Sequence, residues 1–460
     1  MLSLVHDYPV SAALFLVVFF CLLQSWWFKK DFFSPLNIYC FTQCITLAIS
    51  YFQLDRAMSD FHLYTWGVWL LALLSFVGGC VVARLYAKTK ALPVRIAPAT
   101  CPKQYNWTYH LMLSFVAFLV FMVGVYGVVH KVGDFIVFTS SPAKWMTKYV
   151  DYGYYSLLFN SGPLCVLLFG VASFKKFNNI AWIRRVSFAM VFVTIAINTI
   201  AYPNRTSLFL NIGFFLILVN YLYKRISPIV ITLFLVFAVI AFVSIGNLRN
   251  QYGGSVEGKA LDVVVELPYK YLANNYWNLD YVLNPPNDRE IHPHTYGIDF
   301  FNGIFEYVML TGAFRSSFRW DNAFNDRIQK VPGFNTVSYL WEVYKDFHLF
   351  GVMLLPFLCG LALTVLHLRL CRPFTPRQIL LYTYFIYFVG WWFFTAGYKQ
   401  GIFCIWGMVI FVVSTVCSTK GKLPADPDVV GDEVDSKSTG ASTSSPILCQ
   451  PECETAVGRT

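Results

Sequence analysis

The sequence is short of charge. Asp, Glu, Lys and Arg make up 13% of its 460 residues, about half the share found in ordinary soluble domains. That scarcity excludes a soluble globule with a solvated charged shell. Nucleotide signatures are missing as well: there is no Walker loop, no GxGxxG run after a strand and no HExxH. An ATP-driven or nicotinamide-dependent activity would therefore need a partner chain, and no cofactor is expected. Nothing repeats at a period of about 20–50 residues, and the alternating segments of about ten residues that build a membrane β-barrel are absent. Residues 247–349 contain none of the twelve cysteines, which excludes a disulfide-stapled ectodomain. Cys40 and Cys44 stand i, i+4, and Cys449 and Cys453 share a polar tail, but neither pair has companion His or Cys residues at zinc spacing. Small apolar packing is the simpler reading for the first pair, and no metal is expected.

What the sequence has instead is apolar length. Hydrophobic residues reach 57% and the mean hydropathy is +0.54. They come in blocks of about 18–22 residues, enough to cross a hydrocarbon core of about 30 Å at roughly 1.5 Å per residue. The fold expected is all-α: a polytopic membrane protein with about eleven transmembrane helices and one large periplasmic loop. Spans are expected at 8–28, 34–52, 64–85, 109–129, 154–174, 186–202, 206–223, 227–246, 350–370, 378–397 and 401–417. The chain thus divides into transmembrane helices over 1–246, the loop 247–349, further spans over 350–417, and a tail from 418 to 460 whose Ser, Asp and Gly content predicts disorder. The first block lacks a basic leader and a small-residue cleavage site, so it is kept as a span and not a secretory signal.

Lys and Arg in the short loops give orientation. Lys29 and Lys30, then Lys88, Lys90, Arg95 and Lys103, then Lys175, Lys176, Arg184 and Arg185, then Lys224 and Arg225, then Arg369, Arg372 and Arg377 fall in alternate connections. The intervening short loops hold only Arg56, Lys131, Lys144, Lys148, Arg205 and Lys399. The alternation predicts a periplasmic N-terminus, a cytoplasmic C-terminus and a periplasmic 247–349. The net charge of +10 is then a topology signal. A nucleic-acid partner is not expected, because the basic residues do not cluster on one soluble face.

Three features gather at the outer face. Tyr202-Pro203-Asn204-Arg205-Thr206-Ser207 turns between two spans. There Asn204 can cap a helix whose free N–H groups, beside Arg205, make an anion cradle. Arg249 follows the eighth span by about one helical turn, before Gly253-Gly254. The loop carries Arg289, His292, His294, Arg315, Arg319 and Asp321 among many aromatics and amides. Guanidinium forks bind phosphate and rings stack on pyranose faces, so this mixture suits a phosphorylated sugar. Each feature also has a plain reading. Arginines at helix ends are commonly interfacial anchors, the histidines flank Pro293 as a surface turn would, and Arg315, Arg319 and Asp321 fit a salt-bridged solvated face. Within the loop, 261–266 and 296–310 mix apolar and charged positions, which predicts short amphipathic helices lying along the membrane.

Together these residues resemble the bacterial oligosaccharide repeat-unit polymerases of the Wzy type, which extend O-antigen, common antigen or capsule chains. The resemblance rests on the span arrangement, on Asn204 to Ser207, on Arg249 to Gly254, and on Phe334-Asn335-Thr336 running through Tyr344-Lys345-Asp346-Phe347-His348 to Gly351. In the family that last motif tends toward Asp-Phe-Gly, and here His348 stands at the first Gly. The resemblance implies a glycosyltransferase of the bacterial cell inner membrane. Its donor and acceptor would both be glycans on undecaprenyl diphosphate, with membrane lipids around it and a chain-length regulator protein as a possible partner. Arg205 and Arg249 would hold the diphosphate, Arg289, Arg315 and Arg319 would line a glycan-binding loop, and Asp346, Glu342, His292 and His294 remain open as the base. The same topology is shared by O-antigen ligases. A flippase or transporter of a lipid-linked or polar solute is the reading from another class, although internal repeats and mid-span charges, which mark such proteins, are missing.

Overall fold

Apolar stretches of about twenty residues have one low-energy answer in hydrocarbon, the helix, because every backbone N–H and C=O is then paired inside the segment. The computed structural model describes residues 9–27, 31–52, 60–89, 105–132, 154–201, 205–227, 229–234, 237, 240, 260–285, 297, 301, 336–370, 374–395 and 401–418. They form α1 (Pro9–Trp27), α2 (Pro35–Ser50), α3 (Leu63–Thr89), α4 (Trp107–Val132), α5 (Tyr154–Phe159) and α6 (Gly162–Ala172). Then come α7 (Ala181–Ala201), α8 (Arg205–Leu222), α9 (Ala260–Leu283), α10 (Tyr339–Leu370), α11 (Pro376–Gly390) and α12 (Gly401–Val416). Among the described residues there is no strand, only an isolated bridge between Tyr105 and Ser418. Helices Leu63–Ala87, Trp107–Lys131, Ala181–Thr199 and Tyr339–Leu370 are long and apolar enough to cross a membrane. Shorter apolar helices run over Pro9–Gln24, Leu157–Ala172, Leu208–Leu222 and Ile402–Val416.

The surface is apolar and the interior holds polar groups. Leu70, Leu74 and Leu85 of α3, Met112, Val116 and Leu119 of α4, and Met408, Phe411 and Val412 of α12 are exposed. Ser114, Thr194, Asn198, Asn211 and Thr383 are buried. Water would penalise such a distribution and hydrocarbon permits it, so the arrangement is compatible with a membrane protein. The eight described cysteines are all free, and Cys44 is buried against neighbouring helices.

Two predicted spans differ in detail. The run 154–174 is broken between α5 and α6. Pro163 has no N–H to continue the ladder, while the Ser161 N–H and hydroxyl both turn back to the Leu158 carbonyl. Of 227–246, residues 229–234, 237 and 240 are helical and the others lie outside the described residues.

The most extensive helix pairing is α3 on α10. A Cβ at Gly79 would overlap the Phe357 carbonyl, and one at Gly360 the Phe76 carbonyl, so the two backbones meet directly. Tyr64 meets Tyr344 at one end and Gly79 meets Phe357 further on, which makes the helices parallel. Tyr64 and Tyr344 therefore share one side of the bundle.

Helix α10 is not continuous. His348 has φ 53° and ψ −150°, a backbone conformation that glycine adopts freely and other residues do not. The break turns the first part of α10 back into the bundle. Tyr339 bonds Tyr39 (OH to OH, 2.7 Å), Tyr39 stacks on Phe76 at 4.0 Å, and Phe76 packs on Gly360. A straight helix would separate Tyr339 from Gly360 by about 31 Å, too far for that relay.

Helix α9 is longer than the short helix expected at 261–266. The segment belongs to a 24-residue helix, and each residue from 273 to 280 is buried. A helix lying along a membrane keeps a polar face open; this one has none there. Its polar residues are used inside the protein. The Asn278 amide donates to the Thr336 carbonyl, Tyr276 donates to Gln43 Oε1, and the Trp277 indole donates to the Ser50 carbonyl. Residues 296–310 lie outside the described residues except Gly297 and Phe301.

Candidate functional site

Helix α2 runs between two polar clusters. It has 16 residues, so they lie roughly 24 Å apart along its axis.

At its first turn, Asp31 precedes the helix and is buried. Tyr221 donates its hydroxyl to Oδ2, the Asn220 amide donates to Oδ1 at 3.0 Å, and His367 Nε2 lies 3.0 Å from Oδ2. The Phe33 N–H also donates to Oδ1, at 3.1 Å. Burial raises the pKa of a carboxyl, but the bonds from His367, Tyr221 and Asn220 outweigh it and hold Asp31 below its ordinary value. Around this knot, Lys176 donates to the Tyr221 carbonyl at 2.8 Å and sits 5.2 Å from the Phe374 ring, and the Asn106 N–H donates to the Cys417 carbonyl. Every connection gathered here is one that the Lys and Arg alternation assigns to a single side.

At the other end of α2, Asp280 of α9 receives the start of α3. Its Oδ1 accepts from the His62 N–H at 2.9 Å and from the Thr65 hydroxyl at 2.6 Å. Thr65 in turn accepts from the Asn284 amide at 2.9 Å. The carboxylate thus caps α3 from a distant part of the chain, a role usually filled by the preceding residue and worth about 1 kcal/mol. Its Oδ2 lies 3.0 Å from His62 Nδ1. The His62 side chain is 60% exposed and that of Asp280 only 2%. Beside them Tyr64 and Tyr344 join hydroxyls at 2.9 Å, and the Tyr344 ring meets the His348 ring edge-on at 5.4 Å and lies parallel to Trp341. Imidazole and phenol rings therefore form an open surface where α3, α9 and the break in α10 converge.

Of the residues expected in the site, Asp346 is fully described. It lies two residues before the break at His348 and is buried at 2% exposure. Glu342 and Lys345, also buried, pair at 3.7 Å one turn earlier. Arg205 opens α8, as an Asn204 cap requires, but its side chain is not described. Arg249, Arg289, His292, His294, Arg315 and Arg319 lie outside the described residues. Among the described residues no three His, Cys, Asp or Glu side chains converge as metal ligands.

No family model, no curated protein and no solved structure matches the chain. The functional reading therefore stands on the residues themselves. Sequence reasoning missed His62 and Asp280 because they are 218 positions apart. The only local signal was a polar pair, Asp60 and His62, directly before an apolar helix.

Proposed function

We propose that the chain polymerises undecaprenyl-diphosphate-linked oligosaccharide repeat units at the periplasmic face of a bacterial inner membrane. In this reading it has about eleven spans, with 247–349 on the outer side. The observation that carries the proposal is the open ring surface of Tyr64, Tyr344 and His348, set at the end of the bundle where the long loop rejoins the helices. Aromatic faces of this kind stack on sugars. The short motifs at Asn204–Ser207, Arg249–Gly254 and Phe334–Gly351, and the lack of any nucleotide-binding signature, support the same chemistry, in which the lipid diphosphate is both activating and leaving group.

Arg205 and Arg249 are assigned to the departing diphosphate, which gains charge in the transition state. Losing one fixed donor of that kind costs on the order of a hundredfold in rate. In cells carrying Arg205→Ala or Arg249→Ala, the surface glycan is expected to carry one repeat unit and no long chains, with normal insertion of the protein. Arg205→Lys should recover only part, since an ammonium lacks the bidentate fork. Accumulation of lipid-linked units on the cytoplasmic face would favour a flippase, and an unchanged ladder of chain lengths would remove both arginines from the site.

A further inference from the structure

We infer that Asp280 and His62 form the proton-accepting pair of the transfer, His62 Nε2 taking the proton of the acceptor hydroxyl and Asp280 holding the ring. The inference rests on the polymerase reading above and assigns its base.

The hydrogen bonds fix which nitrogen is free. The His62 N–H and the Asn284 amide can only donate, and Thr65, which accepts from Asn284, has its own hydrogen left for Asp280. The carboxylate is an acceptor throughout, so the His62 Nδ1 at 3.0 Å carries a hydrogen. In the neutral ring the lone pair is then on Nε2, and the side chain that carries it is 60% exposed. Capping alone does not account for this arrangement. Oδ1 satisfies the start of α3, and Oδ2 is given to the imidazole. Asp346, Glu342 and Lys345 are buried, and of the exposed ionisable groups nearby, Asp60 and His348, neither is the one held by the Asp280 carboxylate. His62 combines an open ring with a buried orienting carboxylate, and it stands two residues from Tyr64 of the ring surface.

The step balances without a further reagent. The acceptor O–H gives its proton to Nε2 as its oxygen pair bonds the donor's anomeric carbon. The anomeric C–O bond breaks, and its electron pair leaves with the lipid diphosphate. The imidazolium then passes the proton to that diphosphate or to water. One glycosidic bond is gained and one lipid diphosphate is freed.

The test uses the full-length chain in proteoliposomes. Lipid-linked repeat units extracted from cells lacking the chain are the only sugar source. His62→Gln is expected to keep the wild-type unfolding temperature and KM while kcat falls about a hundredfold or more. Added imidazole should restore part of the turnover of His62→Gly. Asp280→Asn separates positioning from capping. Its Oδ1 still caps α3, but its amide faces Nδ1, which moves the ring hydrogen to Nε2 and removes the base. Here kcat should fall to a similar extent with KM unchanged, as tautomer inversion does in the serine protease triad. If wild type polymerises and the His62 variants match its rate, the assignment is overturned and the polymerase reading stands. If wild type itself makes no polymer, the reading falls and the assignment with it.

Discussion

The bundle contains the same pair twice, with opposite surroundings. Asp31 and His367 meet at 3.0 Å, and so do Asp280 and His62. In the first pair the imidazole is 12% exposed and in the second 60%. Asp31 shares its oxygens among α8, α10 and its own turn, so three chain segments depend on one carboxylate. Asp280 divides its work: one oxygen holds a helix and the other holds a ring that touches little else. Identical chemistry serves cohesion where the ring is enclosed and is available to a ligand where the ring is open. Exposure of the histidine, and not the pairing, separates the two roles.

The sharpest way to break this comparison is at the enclosed pair. Asp31→Ala takes this acceptor from the buried His367, Tyr221 and Asn220, and His367→Ala takes the imidazole from the buried carboxylate. Either loss is expected to cost about 3–5 kcal/mol, the usual penalty for breaking a buried pair, read as a lower unfolding temperature in detergent. The pH dependence has a fixed sign. The folded Asp31 pKa lies below its unfolded value of 3.8, so its stabilisation is complete above that value and is lost as pH falls through the folded pKa. An unfolding series into acid should show wild type losing stability there and Asp31→Asn following a flatter course.

The helices were legible in the sequence because bilayer thickness and hydropathy together leave little choice. The blocks at 8–28, 64–85, 206–223 and 401–417 agree with α1, α3, α8 and α12 to within a few residues. Helix α9 was not legible as a buried element. Its Asn274, Asn275, Asn278 and Asp280 look like a water-facing stripe, and only the partners that meet them, such as Thr336 and His62, show that they face inward. The site was least legible of all. The expected base candidate Asp346 is enclosed, and the open histidine lies in a different connection, joined to its carboxylate only by the fold.

A smaller effect is expected at the break in α10, which carries Tyr344 and His348 toward the open pair. A non-glycine residue with φ 53° and ψ −150° stores about 1–3 kcal/mol of strain, and glycine releases it at an entropic cost of about 0.5–1 kcal/mol. His348→Gly should therefore raise the unfolding temperature by the equivalent of about 1 kcal/mol, while His348→Ala, which keeps the Cβ, should not. If both raise it equally, the side chain and not the backbone is the source of strain. Polymerisation measured on the glycine variant sharpens the comparison further: a stabilised protein with reduced turnover would place the His348 ring in the open surface with His62.

The smallest expected change in stability is at the open pair itself. His62→Ala removes a ring bonded to a carboxylate that is otherwise buried, a loss that would be costly if nothing replaced it. The ring is 60% exposed, so its departure admits water to Oδ2, and water supplies the hydrogen bond that Nδ1 gave up. The cap on α3 is unaffected, because the His62 N–H belongs to the backbone and Thr65 remains. The expected cost is within about 0.5 kcal/mol, the ordinary range for a surface substitution. Equilibrium unfolding of His62→Ala beside His367→Ala measures both pairs on one scale. A cost at His62 approaching that at His367 would mean the ring is part of the scaffold, and the distinction drawn from its exposure would fail. A near-zero cost at His62 together with lost turnover would leave the imidazole with a chemical role and no structural one.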